Sequence, residues 1–494
     1  MNFNSLGFLI FLFVVVLLYW LIPHKFRWVL LLLASYFFYM SWNVKLILLI
    51  LTTTITAYGF GILIEKTQSG KLKRFFLVVT LLICLGILIF FKYINFIIGS
   101  VTALLTAFGL NFSTTTLNIL LPVGISFYTF QTLSYVIDVY RGTVKAERHF
   151  GYFALYVSYF PQLVAGPIER SEDLLPQLKE ERRFDFDNIR AGFRFLLSGF
   201  FRKCVIADFC GLYVDTVYAR LGTSNSLAIF FASGLFLIQM YNDFAGYSEI
   251  ALGTARLMGV KLTKNFDKPL ISASYTEFFR RWHITLNQWF TRYVYIPLGG
   301  NRKGLARKLL NTMIVFLLCG LWHGANWTYV LWGGVAGVII CLETLLKQPC
   351  IKLLKKMRIN LQSETLLYIR RGIMLCLFSL SSVLFRAQSI VEIGRAFENL
   401  FTAVGFGEAY WTATFEQLGM NAEGVVYLIL CFAVMLFLPG LTEERGEKFC
   451  ALMGEGIVSD KNTAMFFFGI CTIGFCWLAI LSKTDVSGFQ YFQF

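Results

Sequence analysis

The feature that most constrains this chain is a series of stretches containing no Asp, Glu, Lys or Arg. They run 1–24, 28–44, 46–64, 75–91, 93–137, 149–168, 221–242, 309–342, 372–385, 424–442 and 462–482. Crossing about 30 Å of hydrocarbon as an α-helix takes about 20 apolar residues, and lipid offers no partner for an unpaired backbone N–H or C=O. The chain is therefore expected to be an all-α integral membrane protein, with about a dozen helices entering the bilayer. The 93–137 block is long enough for two passes with a turn near Gly109–Thr116, and the 309–342 block for two passes broken near Gly324–Asn326. Between Asn188 and Arg220 lies an apolar, helix-like segment carrying Arg190, Arg194, Arg202, Lys203, Asp208 and Asp215. It fits either a span facing protein or a helix lying at the interface.

Composition agrees. Hydrophobic residues make up 57% and charged residues 15% of the 494, with 52 Phe, against about 45–50% and about 25% in soluble chains. A water-soluble globule, a disordered chain, a coiled coil and a small disulfide scaffold are all excluded. The 11 Cys lie mostly inside apolar blocks, with no C-x-x-C pair. They read as small buried hydrophobes, and no metal site is expected.

Lys+Arg number 44 against 29 Asp+Glu, a net charge of +15. The charge sits in short loops between apolar blocks, which argues against nucleic acid and for the positive-inside pattern of membrane proteins. Lys66, Lys71, Lys73 and Arg74 form one basic loop; Arg302, Lys303, Arg307 and Lys308 form another. Lys347, Lys352, Lys355, Lys356, Arg358, Arg370 and Arg371 form the strongest. All three are expected in the cytoplasm. The acidic stretch 388–423, with Glu392, Glu398, Glu408, Glu416 and Glu423, is expected outside, as are both termini. No charge precedes Lys25 and no small-x-small site follows, so the first stretch reads as a retained span and not a signal peptide.

Two regions break the span pattern. Phe160–Arg183 interrupts an apolar run with prolines and a Gly-Pro before a charged tail. Asn265–Asn301 is aromatic-rich, holds Arg280, Arg281 and Arg292, and ends in Pro-Leu-Gly-Gly. Non-helical or charged backbone at membrane depth survives only when buried in protein or lining a wet cavity, so a site is expected here. The chain has four His, at 24, 149, 283 and 323. His24 and His149 sit beside basic residues and read as interfacial. His323 lies inside an uncharged block, fifteen residues past Lys308. At about 1.5 Å per residue that is roughly 22 Å into a core of about 30 Å. A His at that depth either hydrogen-bonds between helices as packing or carries function, and an isolated intramembrane ionisable group favours function. Gly324 and Asn326 suggest a locally opened helix beside it. His283, in RRWHITLNQW, is read equally as an interfacial His or a site residue. Near pH 7 a neutral His accepts a proton from a hydroxyl, which suits general-base work. There is no G-x-S-x-G, P-loop or H-E-x-x-H.

The segments RRWHITLNQWFTRYVYIPLGGNRKG (280–304) and LWHGANW (321–327), in a multispan setting, resemble the membrane-bound O-acyltransferase family. LPVGISFYTFQTLSYVIDVYRG (121–142), YFPQLVAGPIER (159–170), YNDFAGYSEIALG (241–253) and the final YFQF (491–494) extend the resemblance to its bacterial polysaccharide O-acetyltransferase branch. It covers nearly the whole chain and is weakest over 388–460. The resemblance implies a single domain over 1–494, with core motifs at 121–327 and peripheral helices at 1–110 and 365–494. It implies a ring-like fold with a central tunnel, re-entrant or interfacial helices, and His323 at the tunnel bottom. The family's second site residue matches His283.

What the resemblance implies chemically is an O-acetyltransferase of the bacterial inner membrane. It carries no permanent cofactor and uses acetyl-CoA as donor. The donor docks from the cytoplasm among Arg280, Arg281, Arg302, Lys303, Arg307 and Lys308; which of these hold its phosphates is left open. His323 takes the proton from the acceptor hydroxyl. His283 or Asn287 orients the donor or steadies the oxyanion, and Trp322 and Asn326 are expected at the substrate. The acceptor is either an extracytoplasmic polysaccharide or an esterase-like partner protein that relays the acetyl group through a Ser. Two alternatives remain. A teichoic acid D-alanyltransferase would share the Trp-His-Gly and much of the fold. A multispan transporter would be expected to show mid-span charges and a repeat of its halves, and neither is present.

Overall fold

The computed structural model describes residues 1–110 and 116–442. Among the described residues there are helices and connecting segments and no strand. The expected span at 462–482 and the final YFQF lie outside the described residues. Among the described residues, six helical segments are long and apolar enough to cross a membrane: Val44–Lys66, Gly70–Ala107, Ser226–Leu257, Gly304–His323, Trp327–Lys356 and Glu364–Arg386.

The chain forms two compact units. One comprises 1–193 and 251–263, the other 194–250 and 264–494. The first unit opens with α1 (Leu6–Leu21), α2 (His24–Met40), α3 (Ile47–Lys66), α4 (Gly70–Leu88) and α5 (Ile94–Ala107). Ser5 and Ser69 start α1 and α4 by accepting hydrogen bonds from Phe8 N and Leu72 N, satisfying donors the helix itself cannot. Phe13 is 69%, Leu48 63% and Leu82 67% exposed. Such side chains are at home facing lipid and would be costly facing water.

Two expectations fail in this unit. The charge of Lys92 is expected to separate two spans, yet α4 and α5 run on through a π-helical turn at Ile89–Tyr93 that carries it. The Lys92 ammonium donates to Ser126 Oγ at 3.4 Å, so the charge is accommodated inside the helix and does not end it. The stretch 149–168 is expected to span. It forms only the nine-residue α7 (Phe150–Ser158), followed by irregular chain. Phe153, Leu155, Tyr156, Tyr159 and Phe160 are fully buried, so this apolar run is hidden by protein. α6 (Ile125–Arg141) packs on α3 and α4, and α2 packs on α7. The irregular segment is tied down by its own buried groups. Tyr156 Oη donates to Glu169 O at 3.0 Å, and Thr263 Oγ1 donates to Glu169 Oε2 at 3.0 Å. Helix α8 (Ser171–Lys179) follows.

Helix α9 (Phe186–Phe200) continues through a π-helical stretch, Phe201–Ala207, into α10 (Asp208–Tyr218); α11 is Ser226–Leu257. In the second unit the charges on this stretch face α11. Arg202 Nε bonds Glu249 Oε1 at 3.0 Å and Arg202 Nη1 bonds Asn242 Oδ1 at 3.0 Å. Lys203 Nζ bonds Asp243 at 2.7 Å and Asp208 at 2.9 Å. The expected span ending at 242 is therefore extended to Leu257, because Asp243 and Glu249 are neutralised by partners from the neighbouring helix. Of the two readings offered for Asn188–Arg220, Arg202 and Lys203 fit the protein-facing one: both are buried.

The rest of the second unit is α12 (Tyr275–Arg281), α13 (Ile284–Phe290), α14 (Gly304–His323), α15 (Trp327–Lys356), α16 (Glu364–Arg386), α17 (Ile390–Thr402), α18 (Glu408–Leu418) and α19 (Ala422–Thr442). The break expected within 309–342 falls where the sequence placed it, between α14 and α15. Those two helices pack against each other. A Cβ on Gly333 would collide with Phe316 O, and one on Gly320 with Tyr329 O. Small residues at a crossing let backbones approach in a medium where hydrophobic drive between helices is weak.

Candidate active site

His323 is the last residue of α14. Gly324 leaves the helix in extended conformation, and Asn326 starts α15 by accepting from Thr328 N at 3.1 Å. The helix opening expected beside His323 is thus present. Asn326 Nδ2 also donates to Gln388 O at 3.3 Å, so this residue joins α15 to the end of α16.

The imidazole of His323 is only 8% exposed and sits in a box of aromatic rings. Its centroid lies 5.4 Å from Trp332, 5.2 Å from Phe385 and 5.1 Å from Trp322, each near-perpendicular. Tyr329 closes on Phe385 at 4.9 Å. Edge-to-face rings fix the plane of the imidazole and keep its surroundings apolar. Apolar walls of this kind limit the approach of water, which suits directed proton transfer.

His283 is placed by a different device. The sequence RRWHIT does not form one helix. α12 ends at Arg281, α13 begins at Ile284, and His283 between them has φ 44° and ψ 54°, the left-handed region. A non-glycine residue there is uncommon and held by its surroundings. The start of α12 is fixed by Ser274, which accepts from Glu277 N at 3.1 Å, and by Glu343, which accepts from Thr276 N at 2.9 Å. His283 is 1% exposed. Its ring stands 4.7 Å from Phe244 and 5.8 Å from Trp322. Trp322 therefore touches both imidazoles. Burial, reinforced by the nearby His323, holds the His283 imidazole well below its usual pKa, so it is neutral at physiological pH.

The other residues expected at the site fall into three groups. Trp322 is buried between the histidines. Asn287 packs beside His283, but its Nδ2 donates to Phe279 O and Trp282 O, both at 2.7 Å, which caps the open carbonyls of α12. Arg281 pairs with Glu277 at 3.1 Å and Asp267 at 3.6 Å, whereas Arg280, Arg302 and Lys303 are exposed. Arg307 Nε donates to Leu298 O at 3.1 Å, and Asn311 Nδ2 to Gly300 O at 2.9 Å. These bonds pin the Pro-Leu-Gly-Gly turn onto α14.

Sequence reasoning missed Asn265, Trp332 and Phe385 as neighbours of the two histidines. Asn265 Oδ1 lies 3.1 Å from His283 Nδ1 across eighteen residues of chain. An Asn in a loop carries no periodic signal, and Trp332 and Phe385 read as ordinary span residues. Among the described residues no cluster of His, Cys, Asp and Glu is arranged to hold a metal.

Comparison with known proteins gives the family. Residues 147–386 match the model of MBOAT, the membrane-bound O-acyltransferase family, and both histidines fall inside the match. The chain is 35% identical over 421 residues to the "Probable alginate O-acetylase" of Pseudomonas syringae pv. tomato, covering 85% of this chain and 78% of that one. It is 35% identical over 341 residues to the peptidoglycan O-acetyltransferase of Helicobacter pylori, covering 63% of each. It is 29% identical over 236 residues to the teichoic acid D-alanyltransferase of Streptococcus thermophilus, covering 44% of this chain and 55% of that enzyme. With its apolar helices, its paired buried histidines and these relatives, the chain belongs to the membrane-bound O-acyltransferase family.

Proposed function

We propose that this enzyme moves an acetyl group from acetyl-CoA at the cytoplasmic face of the inner membrane to a hydroxyl on the other side. The acceptor is an extracytoplasmic polysaccharide, or the Ser of an esterase-like protein that passes the acetyl group on. The observation that carries the reading is His323, a buried imidazole at the broken end of an apolar helix, with the His283 imidazole, held neutral by burial, nearby. The names of the alginate and peptidoglycan relatives support acetyl as the group and polysaccharide as the acceptor class.

In this mechanism His323 accepts the proton of the acceptor hydroxyl as its oxygen attacks the thioester carbonyl carbon. The carbon–sulfur bond breaks, and the proton passes to the departing thiolate, giving the ester and free CoA. The aromatic box excludes water, which would otherwise hydrolyse the thioester. Arg280, Arg302 and Lys303, exposed on the chain, are the groups offered to the CoA phosphates. D-alanyl transfer to teichoic acid is the second reading, favoured only by the shorter match to the D-alanyltransferase.

The test is acetyl transfer by His323→Ala. The variant is expected to insert and fold, and to lose transfer by about 10²–10⁴-fold, the usual contribution of a general base. Retention of more than about a tenth of wild-type transfer would remove His323 from the chemistry.

A further inference from the structure

We infer that Asn265 is a positioning residue that keeps the proton of His283 on Nδ1, so that Nε2 offers a lone pair to a substrate hydroxyl. The inference rests on the acyl-transfer reading and gives His283 a role at the acceptor hydroxyl.

Asn265 is 2% exposed. Its Oδ1 lies 3.3 Å from Thr285 N, 3.0 Å from Thr285 Oγ1 and 3.1 Å from His283 Nδ1. A backbone N–H can only donate, so the atom facing Thr285 N is the amide oxygen, and the orientation of the side chain is fixed. A carbonyl oxygen can only accept. His283 Nδ1 at that distance is therefore the protonated nitrogen. The main chain of Asn265 adds a further tie, with Ile284 N donating to Asn265 O at 2.9 Å. Side chain and backbone of one residue thus clamp the left-handed turn at His283 and the first residues of α13 together.

The consequence is chemical. Burial and the nearby His323 keep the ring neutral, so it carries a single proton, and Asn265 decides which nitrogen bears it. With Nδ1 protonated, Nε2 is an acceptor. It can orient a hydroxyl or draw on its proton, but it cannot donate to an oxyanion without becoming a cation in an apolar place. Oxyanion stabilisation must then come from another group, and His283 works alongside His323 on the hydroxyl side of the reaction.

The test uses the full chain in detergent micelles with ¹⁵N-labelled histidine. Only four histidines are present, and the His283 signals are those absent from His283→Gln. The wild type is expected to show a pyrrole-like Nδ1 and a pyridine-like Nε2 at neutral pH; the reverse pattern would overturn the inference. Asn265→Leu is expected to lose this preference and to reduce acetyl transfer more than about tenfold. Asn265→Asp, which keeps an acceptor, is expected to retain the proton on Nδ1. A Leu variant with the wild-type ring state and wild-type transfer would overturn it as well. If Leu prevents folding, the wild-type and Asp ring states still decide. Failure of the underlying reading looks different: the wild type transfers no acetyl, or His323→Ala transfers normally, whatever the state of His283.

Discussion

At the scale of single residues, the chain relies on buried polar groups whose environments are specific. His323 is enclosed by rings, His283 is held by an amide, and Glu169 is enclosed by the irregular segment of the first unit. Burial pushes the Glu169 carboxyl up to about 7 from 4.5, against the opposing hydrogen bonds of Thr263. The folded state therefore binds a proton between those pH values that the unfolded state releases. Stability is greatest below the unfolded value, falls as pH rises toward 7, and is flat beyond it. Glu169→Gln removes that slope. Melting temperatures in detergent from pH 4.5 to 8 should show the wild type losing up to about 3 kcal/mol relative to the Gln variant. Parallel curves would show that Glu169 does not titrate in this range. His323 was legible because an ionisable residue stands out in an uncharged block. Asn265 was not, because an amide in a loop gains its meaning only from what the fold brings to it.

At the scale of elements, the α14–α15 pair is what sets His323 in place. Gly333 sits where a methyl group would strike Phe316 O and Gly320 Cα. Gly333→Ala is expected to push the helices apart, lower stability by about 1–3 kcal/mol and reduce transfer with it. Gly234, in α11, has nothing within 4 Å of the point where a Cβ would stand, and Gly234→Ala should leave transfer unchanged. Equal melting temperatures for the two variants would mean that the close approach does not matter. The break at Gly324–Asn326 was visible because helix-poor residues interrupt an apolar run. The 149–168 stretch was misread as a span because burial in protein and burial in lipid favour the same residues. Lys92 and Asp243 were misread as helix ends because a charge stops a span only when nothing pairs with it.

At the scale of the whole molecule, the distribution of charge predicts orientation. Cys350 is exposed and lies in the basic run between Lys347 and Lys352. In a chain whose other cysteines are replaced, a membrane-impermeant thiol reagent should not reach Cys350 in intact cells and should label it after permeabilisation. Labelling of intact cells would place this basic end of α15, and the donor, on the other side.

The proposed acyl transfer across the membrane through His323 is decided in inside-out membrane vesicles supplied with acetyl-labelled acetyl-CoA. Vesicles carrying the wild-type chain should accumulate labelled ester on material inside the lumen, and vesicles carrying His323→Ala should accumulate essentially none. Equal lumenal labelling in the two, or no ester formed from acetyl-CoA by the wild type, would contradict the account.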